Sequence, residues 1–370
     1  MSMIKLPYKL DYLLILLLIC FSGNPFFISV NNTPLYYVIF ALFILFILFA
    51  KNIVFFPHFI KYMSLFFLIY LLQLTFLISV SFSSIGFMII KTFIGCAIFS
   101  IVGNKFSEIY IRIMGGVCVI SIIFYFYTMH FGLLPGIPTS DHTISLGFYT
   151  ELLTLENQGL NRNSGMFWEP GAFQAYINIA IALMMLKEKL YKIDFFYLLL
   201  FIGTIVTTSS TTGFLLLGLN LIYFITFKAK LSPILRIIAI VSTICICAYF
   251  YVSIDFLQEK INNHTTLTAD QEGRINDIRR LSSILFDNML IGVSYIEIWT
   301  GNGFISNLVH IGIIGAFYFY INFYRNIRKY NKSIYSIYFF TLIILSLQGE
   351  VLLMYPFYLA LPFMVIKSSQ

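Results

Sequence analysis

The chain has 370 residues, 59% of them hydrophobic and only 11% charged, and its mean hydropathy is +0.89; an average soluble domain carries roughly 25% charged residues. That composition excludes a soluble enzyme or binding module. The net charge of +7 reads as a topology signal and implies no nucleic-acid partner.

The first apolar run, Asp11 to Phe21, follows Lys5 and Lys9 as a signal peptide would, yet no small-residue cleavage site follows in CFSGNPFF. It is expected to remain a helix. Apolar runs near the ~20-residue spanning length then recur between short polar breaks. The expected spans are approximately 10–22, 35–50, 62–80, 85–102, 113–131, 168–186, 194–207, 213–227, 237–254, 303–323, 333–348 and 351–366. These about 12 spans predict an all-α polytopic membrane protein, residues 1–370 forming one integral membrane domain. With the N-terminus in the cytoplasm, 17 of the 23 Lys and Arg fall on the cytoplasmic side, as positive residues prefer, and the C-terminus is cytoplasmic as well.

Lys91 lies inside the fourth span, about two turns from its start, too deep for simple snorkelling; it is a functional candidate. The five cysteines fall within spans and imply no disulfide framework. Cys245 and Cys247, two apart on a helix, point to different faces and make a poor metal pair. No HExxH helix, phosphate loop or dinucleotide fingerprint occurs in the right setting, so neither a cofactor nor a metal is indicated.

Two connections are long, residues 132–167 and 255–302, and the alternation places both outside. The first contains ISLGFYTELLTL, whose Ile144, Phe148, Leu152 and Leu155 have helical spacing and predict a short surface helix. It closes with NRNSGMFWEPGAF. Pro170 suits the first position of the sixth span, which puts Glu169 at the N-cap and Trp168 at headgroup level. A helix N-terminus beside an arginine fork suits a diphosphate. The same residues also read as a plain cap, with Arg162 paired to Glu169 or to lipid phosphate.

TTSSTTGF, Thr207 to Phe214, reads as a turn between two helices, or as a set of hydroxyl donors to a sugar or phosphate. In the second long loop, Arg274, Asp277, Arg279 and Arg280 are spaced so that some share a helix face. GNG at Gly301 to Gly303 is a turn signal before the tenth span. Glu350, in LQGEVLLMYP, is expected in a solvated external turn.

RNSGMFWEPGAF resembles the arginine, glycine and Glu-Pro signature of the O-antigen and capsule polysaccharide polymerases, the Wzy family. TTSSTTGF is similar to their hydroxyl-rich turn, GRINDIRRLSSILFDNMLIGVS to their second arginine loop, and NLVHIGIIGAF to the asparagine and glycine entry into a later helix. Together these cover roughly the last two-thirds of the chain; the first third matches only as generic membrane helix. The resemblance implies a membrane glycosyltransferase of the GT-C-like class in a bacterial inner membrane. Such an enzyme joins undecaprenyl-diphosphate-linked repeat units on the periplasmic face. It implies Arg162 and Arg274 as binders of the diphosphate or lipid headgroup, with Arg280 and Asn307 in support. The implied partners are the lipid-linked glycans and membrane lipid, with a chain-length regulator protein as a further candidate. The donor carries its own diphosphate leaving group, so no metal or nucleotide is needed, and arginines stabilise its growing charge.

A base must take the acceptor's hydroxyl proton, and Glu169 and His310 are the two candidates. An N-cap setting weakens Glu169 as a base by favouring its charged form. His310 stands at the external end of the tenth span, near where related ligases carry a catalytic histidine. The competing functions are an O-antigen ligase, which transfers finished chains to lipid A core, and a flippase or other transporter.

Overall fold

The computed structural model describes residues 8–28, 33–76, 81–132, 135–140, 143–152, 162–253, 274–293 and 302–367. Helix punctuation follows the local sequence. α1 (Tyr8–Gly23) stops at Gly23, and Pro25 opens the short α2 (Pro25–Ile28). α3 (Thr33–Ala50) and α4 (Phe56–Phe76) follow, then α5 (Phe82–Val102), capped by the Ser81 hydroxyl, which accepts from the Ser84 amide at 3.1 Å. Gly103, at φ +56°, ends α5, and a 3-10 turn leads into α6 (Phe106–Phe131).

Three helical stretches among the described residues are long and apolar enough to cross a membrane. They are Phe56–Phe76, the run Phe82–Phe131 that holds α5 and α6, and Gly303–Tyr330. Shorter apolar helices accompany them: α3, α7 (Pro170–Met184), α9 (Thr211–Phe227), α10 (Pro233–Ser253) and α13 (Ser333–Ser346), with α8 (Lys192–Thr208) between α7 and α9. Between α10 and α13 lie α11 (Arg274–Asp287) and α12 (Gly303–Tyr330). Most of the interior is one apolar cluster drawn from α1 through to Ile366, with a smaller one at Leu281, Val293 and Val309, and α7 is buried along its whole length. The outside is apolar too: Phe46, Leu199 and Ile234 are 70%, 71% and 72% exposed. An apolar rind of that extent is what an all-α membrane protein presents to lipid, and it would aggregate in water.

Polar contacts gather at helix ends. At one end Asp11 of α1 is buried and takes two lysines, Lys51 at 3.4 Å and Lys105 at 3.1 Å. The Lys187–Asp194 pair, at 2.5 Å, sits where α7 turns into α8. At the other ends, the Trp168 amide before α7 donates to the Gly23 carbonyl at 3.0 Å, and the Phe304 amide in α12 donates to Leu347 beyond α13 at 3.2 Å.

ISLGFYTELLTL is not a surface helix where the structure describes it. It contributes β2 (Thr143–Ser145) and β3 (Thr150–Leu152) to an antiparallel three-stranded sheet with β1 (Ile137–Ser140). β2 and β3 pair Ser145 with Thr150 and Thr143 with Leu152. Gly147, at φ +85°, makes the turn, and the Leu146 amide closes it on the Tyr149 carbonyl at 2.8 Å. The four-residue spacing of Ile144, Phe148 and Leu152 therefore straddles a turn, and β-branched Thr143, Ile144 and Thr150 favour strand. Leu155 lies outside the described residues.

Two segments are interrupted inside the bundle. Gly312 in α12 has φ +66° and ψ 176°, which breaks the helix. The Ile313 and Ile314 amides donate to the Met289 and Leu290 carbonyls at 2.9 and 3.3 Å. The Val309 carbonyl accepts from the Val293 amide at 2.8 Å, and the His310 carbonyl from Gln73 Nε2, also at 2.8 Å. Every hydrogen bond lost between 309–310 and 313–314 is thus replaced by an outside partner, as buried backbone requires.

The expected span over 351–366 is likewise not one helix. It is a 3-10 turn (Leu352–Met354), the short α14 (Pro356–Leu359) and a second 3-10 turn (Leu361–Phe363). Pro356 and Pro362 supply no amide donor and interrupt the ladder. The segment nevertheless runs the length of α12: Asn302 at its start donates to Gln348 Oε1 at 2.9 Å. Near its end Asn326 and Asn331 donate to the Met364 and Ile366 carbonyls, both at 2.7 Å.

A side chain at Gly312 would be strained and would strike the Leu290 carbonyl, whereas Gly86 in α5 has open space. Gly312→Ala is expected to lower stability in detergent by about 3 kcal/mol or more. Gly86→Ala should be neutral or slightly stabilising. Thermal unfolding of both variants checks this.

Candidate functional site

The loop before α7 is held by α8. Arg162 Nε donates to the Thr208 carbonyl at 3.1 Å, a cation placed on the negative end of a helix dipole. Next to it the Asn163 amide donates to the Thr207 carbonyl at 3.0 Å. Its side-chain Nδ2 reaches Thr207 Oγ1 at 2.9 Å and Ser121 Oγ at 3.3 Å. Asn163 Oδ1 then receives the Gly165 amide at 2.9 Å, and Gly165 turns at φ +54°. The Gly165 carbonyl in turn accepts from Thr150 at 2.6 Å, so the sheet is fastened to this loop. In the turn before β3, burial pushes the Tyr149 phenol up to about 12.

The hydroxyls of TTSSTTGF mostly serve the turn. Thr207 and Thr208 donate back to Thr204 and Ile205 at 2.7 Å, Ser209 sits left-handed at φ +46°, and Ser210 caps α9 through the Gly213 amide at 3.4 Å.

Glu169 occupies the N-cap backbone position of α7 with Pro170 after it, but its side chain makes no capping hydrogen bond. The carboxylate at this helix start is Glu350. It is 8% exposed, and its Oε1 lies against Gly171, where any side chain would collide with it. The expectation of a solvated Glu350 is therefore corrected. An acid on the first turn suits the helix dipole, and only glycine leaves room for one arriving from another element. The capping objection to Glu169 as a base goes with it, since its partly exposed carboxylate has no hydrogen-bond partner among the described residues.

His310 and Asn307 lie one turn apart in α12, just before the Gly312 break, and both are buried. His310 Nδ1 contacts the Ser306 carbonyl at 2.5 Å, which calls for a proton on Nδ1; in the neutral ring Nε2 is then the acceptor nitrogen. Asn307 Nδ2 reaches Tyr320 Oη at 3.4 Å. The two line a small cavity of about 30 Å³ with Tyr70, Thr92, Leu353 and Met354. That volume holds a water or two and not a sugar. Residues 353–354 lead directly to Tyr355, whose ring packs tilted against Trp168 at 4.8 Å between centres. The cavity and the Arg162–Glu169 corner thus back onto the same broken segment. Trp168, expected at headgroup level, is partly exposed and packs on that segment through Tyr355.

α11 begins at Arg274 and includes Arg280; the side chains of both lie outside the described residues. Sequence reasoning overlooked Gln73 and Tyr355 and undervalued Glu350. An acid six residues before Pro356 was the available signal, because a proline-broken apolar segment has backbone groups to satisfy.

No family model and no curated protein matches this chain.

Gly171→Ala is expected to cost about 1–3 kcal/mol by overpacking against Glu350. In the double variant with Glu350→Ala part of that loss should return, a favourable coupling of about 1 kcal/mol in thermal unfolding. Additive losses would show that the two residues do not touch.

Proposed function

We propose that the chain is a membrane glycosyltransferase, an O-antigen or capsule polymerase. It joins undecaprenyl-diphosphate-linked repeat units at the periplasmic face of a bacterial inner membrane. The observation that carries the reading is the uncapped Glu169 carboxylate in the same short loop as Arg162, with the buried His310 imidazole facing the other side of the 353–355 segment. In this reading α1, α3 to α10, α12, α13 and the broken segment are the candidates for the about 12 crossings. Alternation supports the same count. Lys51 and Lys105, both assigned to the cytoplasm, meet at Asp11, while Gly23, Trp168, Phe304 and Leu347, assigned outside, meet at the opposite helix ends. Both termini are then cytoplasmic.

In the transfer, the acceptor sugar's hydroxyl oxygen bonds to the anomeric carbon of the growing chain. The bond from that carbon to the lipid diphosphate breaks, and the electron pair leaves on the diphosphate oxygen. Glu169 takes the hydroxyl proton, and Arg162, with Arg274 and Arg280 from α11, holds the departing charge. His310 is the second candidate base. Asn307 is assigned to the wall of the His310 cavity.

A transporter or flippase is the second reading, favoured by the two interrupted crossings and by the buried Lys91. The ligase needs the same fold and another acceptor.

The test is chain length formed by purified protein in liposomes from a lipid-linked repeat unit, with and without lipid A core. A ladder without core supports the polymerase, product only with core the ligase, and no product the transporter. Arg162→Ala and Arg274→Ala should abolish elongation, with lysine rescuing only partly. Glu169→Gln should slow it on the order of 10²-fold. A near-normal rate for Glu169→Gln beside an inactive His310→Ala would move the base to His310.

A further inference from the structure

Lys91 stands near the middle of α5 and is 8% exposed. Its Nζ lies 4.4 Å from the Phe87 ring centre, 5.6 Å from Tyr355 and 5.7 Å from Tyr37. Among the described residues no carboxylate is within salt-bridge distance of it, and no side chain or carbonyl accepts a hydrogen bond from it. Two other buried charges have ionic partners: Asp11 has two lysines, and Asp194 has Lys187. Aromatic faces attract a cation, but that attraction is weak beside the desolvation of an ammonium group. Retaining a lysine here calls for an anion.

The cage has an open rim. Phe87, Tyr355 and Trp168 are only partly buried, and Trp168, from the Arg162–Glu169 loop, packs against Tyr355. Tyr355 is extended, at φ −116° and ψ 150°, in the gap between the 3-10 turn and α14, so the ring sits at a helix interruption. Interrupted crossings beside a buried charge are where membrane proteins hold ionic ligands. The surrounding rings add apolar surface for a hydrocarbon chain.

We propose that Lys91 is the counter-cation for the phosphate or diphosphate of an isoprenoid lipid, whose headgroup passes Trp168 and Tyr355 to reach it. This rests on the reading of a lipid-linked donor and adds to it a residue on α5, remote in sequence from the arginine loops. Lys91 neutralises the headgroup, and the Phe87 and Tyr355 rings cover the first part of the chain.

The chain has two tryptophans, so Trp299→Phe leaves Trp168, one ring from Lys91, as a built-in fluorescence reporter. The full chain carrying this change is titrated with farnesyl diphosphate in uncharged detergent. Saturable change is expected, at least tenfold weaker after Lys91→Met and within a few-fold of the parent after Lys91→Arg. Methionine removes a buried charge at similar volume and should leave the size-exclusion profile unchanged. Inorganic pyrophosphate and phosphatidylglycerol nanodiscs identify the source of the anion. Preference for farnesyl diphosphate assigns the site to the isoprenoid lipid, whereas equal response to either of the others overturns that assignment. Equal response to farnesol, or equal binding by Lys91→Met, overturns the anion site. If the same protein still elongates repeat units, the inference fails alone. Lys91-dependent binding without elongation would instead leave the site standing and remove the polymerase.

Discussion

Everything distinctive in this fold depends on one constraint: a helix interrupted inside an apolar bundle must have its backbone groups satisfied by other protein atoms. Gly312 interrupts α12, and the turn at 289–293 enters the gap and exchanges hydrogen bonds with it. Close approach demands glycine on both sides. Gly292, at φ +71°, faces Gly312, and neither has room for a side chain. Gln73 ties the Ile291 and His310 carbonyls together at 2.6 and 2.8 Å and brings α4 to the same point. The cost of the break is met by two other elements, α4 and the 289–293 turn, and His310 and its cavity lie there.

The last segment repeats the device. Pro356 and Pro362 divide it into three short turns, and its start is held by the first turns of other helices. Asn302 reaches Gln348, and Gly171 leaves space for the Glu350 carboxylate. Phe357 donates its amide to Ser22 Oγ at 2.9 Å, and Gly95 lets α5 meet the Pro356 carbonyl. Polar groups that would be costly in lipid are thereby collected around residues 347–360. On one side lies the Arg162–Glu169 loop, and on the other the His310 cavity.

Much of this was legible in sequence because hydrophobic runs and prolines act locally. Pro170 marked the start of α7, and the apolar runs marked nearly every long helix. What escaped depends on partners distant in the chain. Glu350 looks like a loop acid until Gly171, almost half the chain away, is placed beside it. The spacing of Ile144, Phe148 and Leu152 fits a helix as well as a hairpin, and the choice falls to the Gly147 turn and the tie from Thr150 to Gly165. Arg162 and Glu169 were found from local pattern. The lack of a capping hydrogen bond from Glu169 was not, because Glu350 from another element occupies that helix start.

The most direct measurement is hydrogen–deuterium exchange of the detergent-solubilised protein over peptides covering 286–296 and 309–316. With 289–293 lodged in the gap of α12, the amides of Val293, Ile313 and Ile314 should exchange as slowly as those in the uninterrupted turns of α12 on either side. Fast exchange at these three amides, with the flanking turns still protected, would contradict the account.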